Sequence, residues 1–376
     1  NHNTIDHIMD NYTFRPGGTR GMEVKRIQYS IRSVLDLTFS PKDTGAVGID
    51  IGHEEHTFTP AMKGMPRGRE NTDMTIGNLG IFMEYNHDLT ERSHLLSGLR
   101  WDRVTSHYHR YMTFTPGDAT DNAVSGFVRW ENTAKKQPLT FYVGLGHAER
   151  PADYWEAYHT WRAHGASHPS TTRPAKEKNT QLDLGWVYAG EKTNASLSLY
   201  YANVNDFILR KPVGGYGNVD ARLYGFEAEI TRTVSPLWTL GASLAYTRGD
   251  DRTNDTPLPQ IAPLEANLTA KYSHKKAEAN AVWRLVSKQN RYHKGYGSVT
   301  GTDYGPTGGF GILSLSLAYR PDENLTFSLG VDNLFNKTYA EFVNYSEAPI
   351  PALGISAGGH ITEPGRTLWL KGSYKF

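Results

Sequence analysis

Apolar and polar residues alternate along the last eleven residues of the chain, 366–376. Side chains two positions apart on a β-strand share a face, so this segment predicts a strand with one apolar and one polar face. The apolar face carries Leu368, Leu370, Tyr374 and Phe376, and the polar face carries Thr367, Lys371, Ser373 and Lys375, with Trp369 as the exception. An aromatic end suits a strand that meets lipid at a membrane interface. The alternative is the last strand of a soluble sandwich.

The same alternation recurs along the chain and predicts about 16 strands separated by turn residues. The last five are expected over about 265–274, 277–291, 310–320, 325–336 and 366–376. The predicted connections alternate between a short turn and a long loop, which is the pattern of an outer-membrane β-barrel. A repeat of about 40 residues, typical of a β-propeller, is absent. We therefore expect an all-β, antiparallel transmembrane barrel without a domain boundary in 1–376. The residues expected on its lipid-facing side are Leu182, Leu184, Leu197, Leu199, Leu240, Leu244, Leu368 and Leu370.

Composition narrows the possible functions. The 40 Lys and Arg nearly balance the 39 Asp and Glu, so charge does not indicate a nucleic-acid partner. The mean hydropathy of −0.55 and the absence of a long apolar run predict no transmembrane helix. There is no Cys, which excludes disulfides and thiol nucleophiles within these residues. The segment 52–56 lacks the His spacing of a zincin, and no P-loop or Gly-x-Ser-x-Gly motif occurs, so we expect no enzyme.

Two segments near the end of the chain resemble the ending of TonB-dependent outer-membrane receptors. They are Val331-Asp-Asn-Leu-Phe-Asn-Lys-Thr-Tyr339 and Pro364-Gly-Arg-Thr-Leu-Trp-Leu-Lys-Gly-Ser-Tyr-Lys-Phe376. Tyr224-Gly-Phe-Glu-Ala-Glu-Ile230 is similar to a mid-barrel strand of the same family. The resemblance implies a barrel of 22 strands with an N-terminal plug, energised through the inner-membrane protein TonB. It also implies location in the bacterial outer membrane, in contact with its lipid and lipopolysaccharide.

The chain departs from that family pattern in three ways. It shows no plug and no TonB box, and the predicted strands number about six fewer than 22. The chain starts with Asn1 and shows no signal peptide. We therefore expect the C-terminal part of a receptor barrel, with TonB reached through an N-terminal region outside this chain. A self-sufficient 16-stranded porin is the alternative.

Within the family, the chain is most similar to the copper receptor branch, on the segments 6–12 and 147–156. In that branch a His-x-Met pair of the barrel joins a Cys and a Met of the plug to hold copper. His7-Ile8-Met9 matches the barrel half of this set. The resemblance implies that the transported ligand is a copper ion. A receptor for a siderophore, haem or cobalamin would share the same barrel features and stays an alternative.

His7 and Met9 are two positions apart on a predicted strand, so both can contact one ion from the same face. Imidazole nitrogen and thioether sulfur suit copper, and the soft sulfur favours Cu(I). The alternative is a His and a Met that pack or face solvent. Asp6 and Asp10 lie on the opposite face, and lipid would not accept two carboxylates. We therefore expect this pair above the hydrocarbon level, near the extracellular end of the first strand.

Other residues that can bind metals occur in predicted loops or near strand ends. They are Met22, Met62, Met65, Met74, His53, His56, His107, His109, His159, His164 and His168. One interpretation is a set of weak capture sites for a cation. The other is ordinary solvated loops and rims, which is compatible with the 15 His of the chain.

Overall fold

The structure is a computed structural model, and it describes residues 2–10, 20–62, 64–109, 116–157, 173–213, 215–346 and 359–376. Within these residues the fold is one antiparallel sheet of 19 strands and a separate two-stranded hairpin. The first eleven strands are β1 (His2–Asp10), β2 (Arg20–Ser40), β3 (Asp43–Met62), β4 (Asn71–Thr90), β5 (Ser93–Tyr108), β6 (Gly117–Thr133), β7 (Leu139–Arg150), β8 (Glu177–Ala189), β9 (Thr193–Arg210), β10 (Tyr216–Thr233) and β11 (Trp238–Asp251).

The remaining strands include five short ones that lie in the connections. They are β12 (Thr256–Pro257), β13 (Glu265–His274), β14 (Ala277–Val286), β15 (Gly297–Ser298), β16 (Gly301–Thr302), β17 (Phe310–Tyr319), β18 (Leu325–Asp332), β19 (Ala340–Ser346), β20 (Gly359–Thr362) and β21 (Thr367–Tyr374). Without β12, β15, β16, β19 and β20, sixteen strands form the wall, as the alternation predicted.

Each wall strand pairs with the next one along the chain, from β1–β2 through β18–β21. In the described part of the chain, β1 and β21 each have one neighbouring wall strand. The β2–β3, β4–β5 and β13–β14 turns each leave two residues between strands, and the other turns at this rim leave at most five. The connections at the opposite rim are longer, apart from 211–215, and their described parts contain the short strands and a helical turn over 154–157. This confirms the predicted alternation of short turns and long loops.

The two faces of the wall differ as predicted. Of the leucines expected on the lipid side, none is buried, and the two on β21 are the most exposed: Leu368 at 77% and Leu370 at 79%. We call this apolar side the outer face and the opposite side the inner face. The inner face is polar: the Arg100 guanidinium bonds to Asp50 at 2.5 Å and to Asp102 at 2.6 Å. Trp369, the exception in the last strand, lies against Gly330.

Several predicted strand ends were wrong. We expected a strand over 325–336, but β18 ends at Asp332 because Asn333 and Asn336 have the left-handed φ values of 51° and 53°. The Asn333 side chain instead bonds to the backbone of Lys337 in this turn. The strand expected over 277–291 ends at Val286. Among the described residues, no helix has the length and apolar character needed to cross a membrane.

Candidate functional site

The predicted metal pair lies on β1, whose Asp10 end is at the rim with the longer connections. The backbone register pairs His7 with Val24 and Met9 with Met22 of β2. The side chains of 6–10 and of Met22 lie outside what the structure describes, so the structure fixes the register of this pair and not its contacts.

The inner face next to these positions is apolar and closely packed. Val24 is 6% exposed and is paired with Phe58, which is 3% exposed. Two residues further from the rim on the same face of β2, the inner face becomes charged. There the Arg26 guanidinium donates to the Glu54 carboxylate at 2.5 Å. Glu54 is itself buried, and its Oε1 has no hydrogen-bond partner among the described residues. The positions of His7 and Met9 therefore lie beside an apolar patch that is bordered by an ion pair.

A second buried polar group lies on the inner face at the same rim. His56 Nδ1 is 2.9 Å from Asp73 Oδ1, and the Tyr154 hydroxyl donates to Asp73 Oδ2 at 2.5 Å. The imidazole of His56 stacks on the Tyr154 ring, with centroids 3.3 Å apart. Asp73 is the extra residue of a β-bulge, since His56 pairs with Met74 and Thr57 pairs with Thr72. The bulge turns the Asp73 carboxylate to the side of His56.

The helical turn over 154–157 brings Tyr154 into this group. The Asp153 carboxylate accepts from the Glu156 amide at 2.8 Å, and Glu156 accepts from the Asp153 amide at 2.9 Å, which is a capping box. Arg150 at the end of β7 donates two bonds to Glu156, at 2.7 and 3.1 Å. Reciprocal caps satisfy amides that an isolated turn would leave free. This local chemistry fixes the start of the connection after β7.

Apolar contacts surround the buried group. Met74 is 1% exposed and packs in a cluster with Tyr108, Tyr154, Ala119 and Ala157. Burial raises the pKa of the Tyr108 phenol to about 12, so this ring stays neutral. Met74 therefore has a packing role here, and the expectation that it belongs to a capture site has no support in this geometry.

The other residues considered as capture sites are dispersed. His53 is exposed on the outer face and His56 is buried on the inner face, so the two imidazoles lie on opposite sides of β3. His107 pairs with Asp118, and His109 Nε2 lies 3.3 Å from the Thr75 hydroxyl. Met65 is 63% exposed, and the Met62 side chain, His159, His164 and His168 lie outside the described residues. The described residues contain no group of three or more His, Cys, Asp or Glu side chains placed to hold a metal.

The inner face carries a further charged group that the alternation did not identify. Arg100 bonds to Asp50 and Asp102, and Arg32 lies 3.6 Å from the other oxygen of Asp50. The Phe82 ring lies between the two guanidiniums, at 4.7 Å from Arg32 and 5.7 Å from Arg100. Paired charges next to an aromatic ring give a polar inner surface with little net charge. The signal in the sequence was only that charged residues repeat at even positions on these strands.

Comparison with known proteins shows what this architecture belongs to. The family model "TonB dependent receptor-like, beta-barrel" matches residues 1–334. Among solved structures, the copper transporter OprC is 35% identical and superposes with a TM-score of 0.91 over 100% of this chain and 61% of that one. The ferric yersiniabactin uptake receptor FyuA from Yersinia pestis is 17% identical, with a TM-score of 0.71 over 96% of this chain and 56% of that one.

A curated relative gives a second comparison. The catecholate siderophore receptor Fiu of Escherichia coli (strain UTI89 / UPEC) is 20% identical in an alignment of 329 residues that covers 79% of this chain and 42% of that protein. The chain thus spans less than half of the length of this relative. Because the family model covers most of the chain, the chain belongs to the TonB-dependent receptor family, as barrel wall of a protein of the Gram-negative outer membrane.

Proposed function

We propose that this chain is part of the barrel of a TonB-dependent receptor that imports copper ions, with His7 and Met9 as the metal ligands of the barrel. The observation that carries the proposal is the His-x-Met spacing near the extracellular end of β1. The likeness to the copper transporter OprC, at 35% identity over the whole chain, supports it. Curated relatives with siderophore receptor names support the alternative of a ferric siderophore as cargo.

The register supports a common face for the two ligands. Residues opposite each other in an antiparallel ladder share a face, so the register of His7 with Val24, a residue of the inner face, supports an inner-face position for both ligands. Asp6 and Asp10 are paired with Lys25 and Gly21, so neither carboxylate position is opposite an apolar residue. This arrangement agrees with a metal site above the hydrocarbon level.

Two ligands are too few to hold copper against water and competing ligands. We propose that a plug contributes the others, and that TonB supplies energy through the region that precedes residues 1–376 in the intact receptor. On this proposal copper is cargo, and the receptor binds and releases it without catalytic turnover. The imidazole accepts either oxidation state of copper, whereas the thioether favours Cu(I).

The test is metal binding by the intact receptor and its His7→Ala and Met9→Ala variants, measured by titration and elemental analysis. Met9→Ala should weaken Cu(I) about tenfold or more and change Zn(II) much less, because zinc has little preference for a thioether. His7→Ala should weaken both ions, since imidazole binds both.

His53→Ala and Met65→Ala provide matched controls, because both side chains are exposed and His53 lies on the outer face. Each control removes the same ligand type and should leave the copper affinity within about twofold. Copper binding that is unchanged in both His7 and Met9 variants would refute the metal role. Uptake of a ferric catecholate by the intact receptor, with no competition by copper, would favour the siderophore alternative.

A further inference from the structure

Three arginines converge on one carboxylate near the extracellular end of β10 and β11. Arg222 Nη2 lies 3.0 Å from Asp250 Oδ2, and Arg291 Nη2 lies 2.5 Å from Asp250 Oδ1. The Arg248 guanidinium reaches only 3.6 Å from the same carboxylate. We call these three arginines and Asp250 the arginine cluster. Asp250 is the only ion-pair partner of the three arginines in the described part of the chain, so the cluster has a net charge of about +2.

The arginine cluster continues the outer face of the wall. The even positions of β10 lie on the outer face, where Ile230 is 45% exposed. In order toward the extracellular end of the strand they include Ile230, Phe226, Tyr224 and Arg222. The register pairs Tyr224 with Tyr201 on one side and with Arg248 on the other. Arg222 lies 5.9 Å from the centroid of the Tyr224 ring.

Tyrosine rings mark the level of the arginine cluster in the membrane. The rings of Tyr201 and Tyr224 lie 6.4 Å apart, and Tyr246 lies 6.0 Å from Phe226 on the adjacent strand. Girdles of aromatic residues lie at the two edges of the apolar band of a membrane barrel, at the level of the headgroups. Since Arg222 and Arg248 are next to these rings on the side of the longer connections, they lie at the headgroup level of the outer leaflet.

The arginine cluster has more donors than its own acceptors use. The Nε atoms of Arg222 and Arg248 are buried and have no hydrogen-bond partner among the described residues, so the cluster is not saturated, although a surface ligand cannot reach these two atoms directly. The side chains of the three arginines are 38–41% exposed, so the cluster borders the surroundings of the wall. Guanidinium forks bind phosphate oxygens in pairs, and one carboxylate cannot neutralise three of them.

We propose that the arginine cluster binds a phosphoryl headgroup of an anionic lipid of the outer leaflet. The lipid's acyl chains would lie along the exposed apolar face below the tyrosines, and its phosphate would meet Arg222 and Arg248. Asp250 holds the guanidiniums together in the absence of the lipid, which lowers the cost of ordering them on binding. This site is on the outer face and is independent of the metal proposed on the inner face.

The experiment uses the purified intact receptor in detergent and native mass spectrometry. Diphosphorylated lipid A, phosphatidylcholine and inorganic phosphate are titrated separately. The wild type should retain lipid A in preference to phosphatidylcholine. The double variant Arg222→Gln/Arg248→Gln should weaken lipid A binding about tenfold or more, because two charge-assisted contacts are lost. Copper binding should not change in this variant.

A control variant, Arg69→Gln/Arg103→Gln, removes the same charge from exposed positions on the β3–β5 side of the wall. It should change lipid A binding by less than about twofold. A second test variant, Arg222→Lys/Arg248→Lys, keeps the charge without the paired donors and should give an intermediate loss. Equal losses in the control and the test variants would refute a local site. Inorganic phosphate that displaces lipid A at equal concentration would refute the lipid as ligand.

Discussion

Two tyrosines of this chain make the same hydrogen bond in different surroundings. The Tyr154 hydroxyl donates to Asp73 at 2.5 Å, and the Tyr85 hydroxyl donates to Asp43 at 2.5 Å. Tyr154 is 5% exposed and Asp73 1%, whereas Tyr85 is 36% exposed. Tyr154→Phe and Tyr85→Phe therefore remove the same atom and the same type of bond, and they differ mainly in burial.

The expected effects differ because water can replace only the exposed bond. A hydrogen bond to a charged group contributes about 1.5–3 kcal/mol, and a buried acceptor left without its donor costs a similar amount. Tyr154→Phe should therefore weaken the local structure by about 1.5–3 kcal/mol. At about 1.4 kcal/mol per factor of ten, this is roughly a 10- to 150-fold change in the local opening constant. Tyr85→Phe should cost much less, because water can bond to the partly exposed Asp43 carboxylate in place of the hydroxyl.

Hydrogen exchange of backbone amides measures local opening directly. The informative amides are those of Ala157, which bonds to the Asp153 carbonyl, and His109, which bonds to the Asp73 carbonyl. Both should lose protection in Tyr154→Phe and keep it in Tyr85→Phe. Equal and small changes in the two variants would show that the buried group does not hold the 154–157 turn against the wall, and the reasoning from burial would be wrong.

Two further predictions concern the end of the wall and a loop. Gly330→Ala should destabilise the barrel by about 1–3 kcal/mol, because its Cβ would lie against the Trp369 indole. Gly372→Ala on the paired strand meets no described atom within 4 Å and should stay within about 0.5 kcal/mol in the same denaturant titration. Burial raises the pKa of Asp303 above its ordinary value of 3.8. Its neutral form is therefore favoured in the fold, and the stability that the carboxyl contributes is present below pH 3.8 and lost as the pH rises through the folded-state pKa. The Gly295 amide bonds to the Asp303 carbonyl, so its hydrogen exchange should become faster as the pH rises through the folded-state pKa, by more than the intrinsic effect of pH. The Asp303→Asn variant should show only the intrinsic effect.

The fold could be predicted from the sequence because lipid imposes one rule on every wall strand. A period of two with one apolar face needs no knowledge of neighbours, so Leu182, Leu240 and Leu368 were assigned correctly from local sequence. Strand ends were less accurate, because they depend on single backbone conformations. The positive φ of Asn333 ends β18, and alternation carries no signal for it.

The polar groups could not be predicted, because their members come from distant parts of the chain. Tyr154 is 81 residues from Asp73, and Arg291 is 41 residues from Asp250. The bulge at Asp73 also shifts the register by one residue, which alternation cannot predict. The pairing of Arg26 with Glu54 joins two strands in the same way.

The length of the strands relative to the membrane explains why the sequence pattern predicts the fold and does not predict the ligand. β2 has 21 residues and is about 70 Å long at roughly 3.3 Å per residue. Its exposed apolar residues run from Tyr29 to Phe39, and with a tilt near 40° this stretch spans about 25 Å, the height of the apolar band of a membrane barrel. The positions paired with His7 and Met9 lie before Tyr29, outside that band. Lipid constrains the sequence only within the band. Under the proposed function, the ligand-binding positions lie above this band on the inner face, where the repeating apolar pattern carries no information.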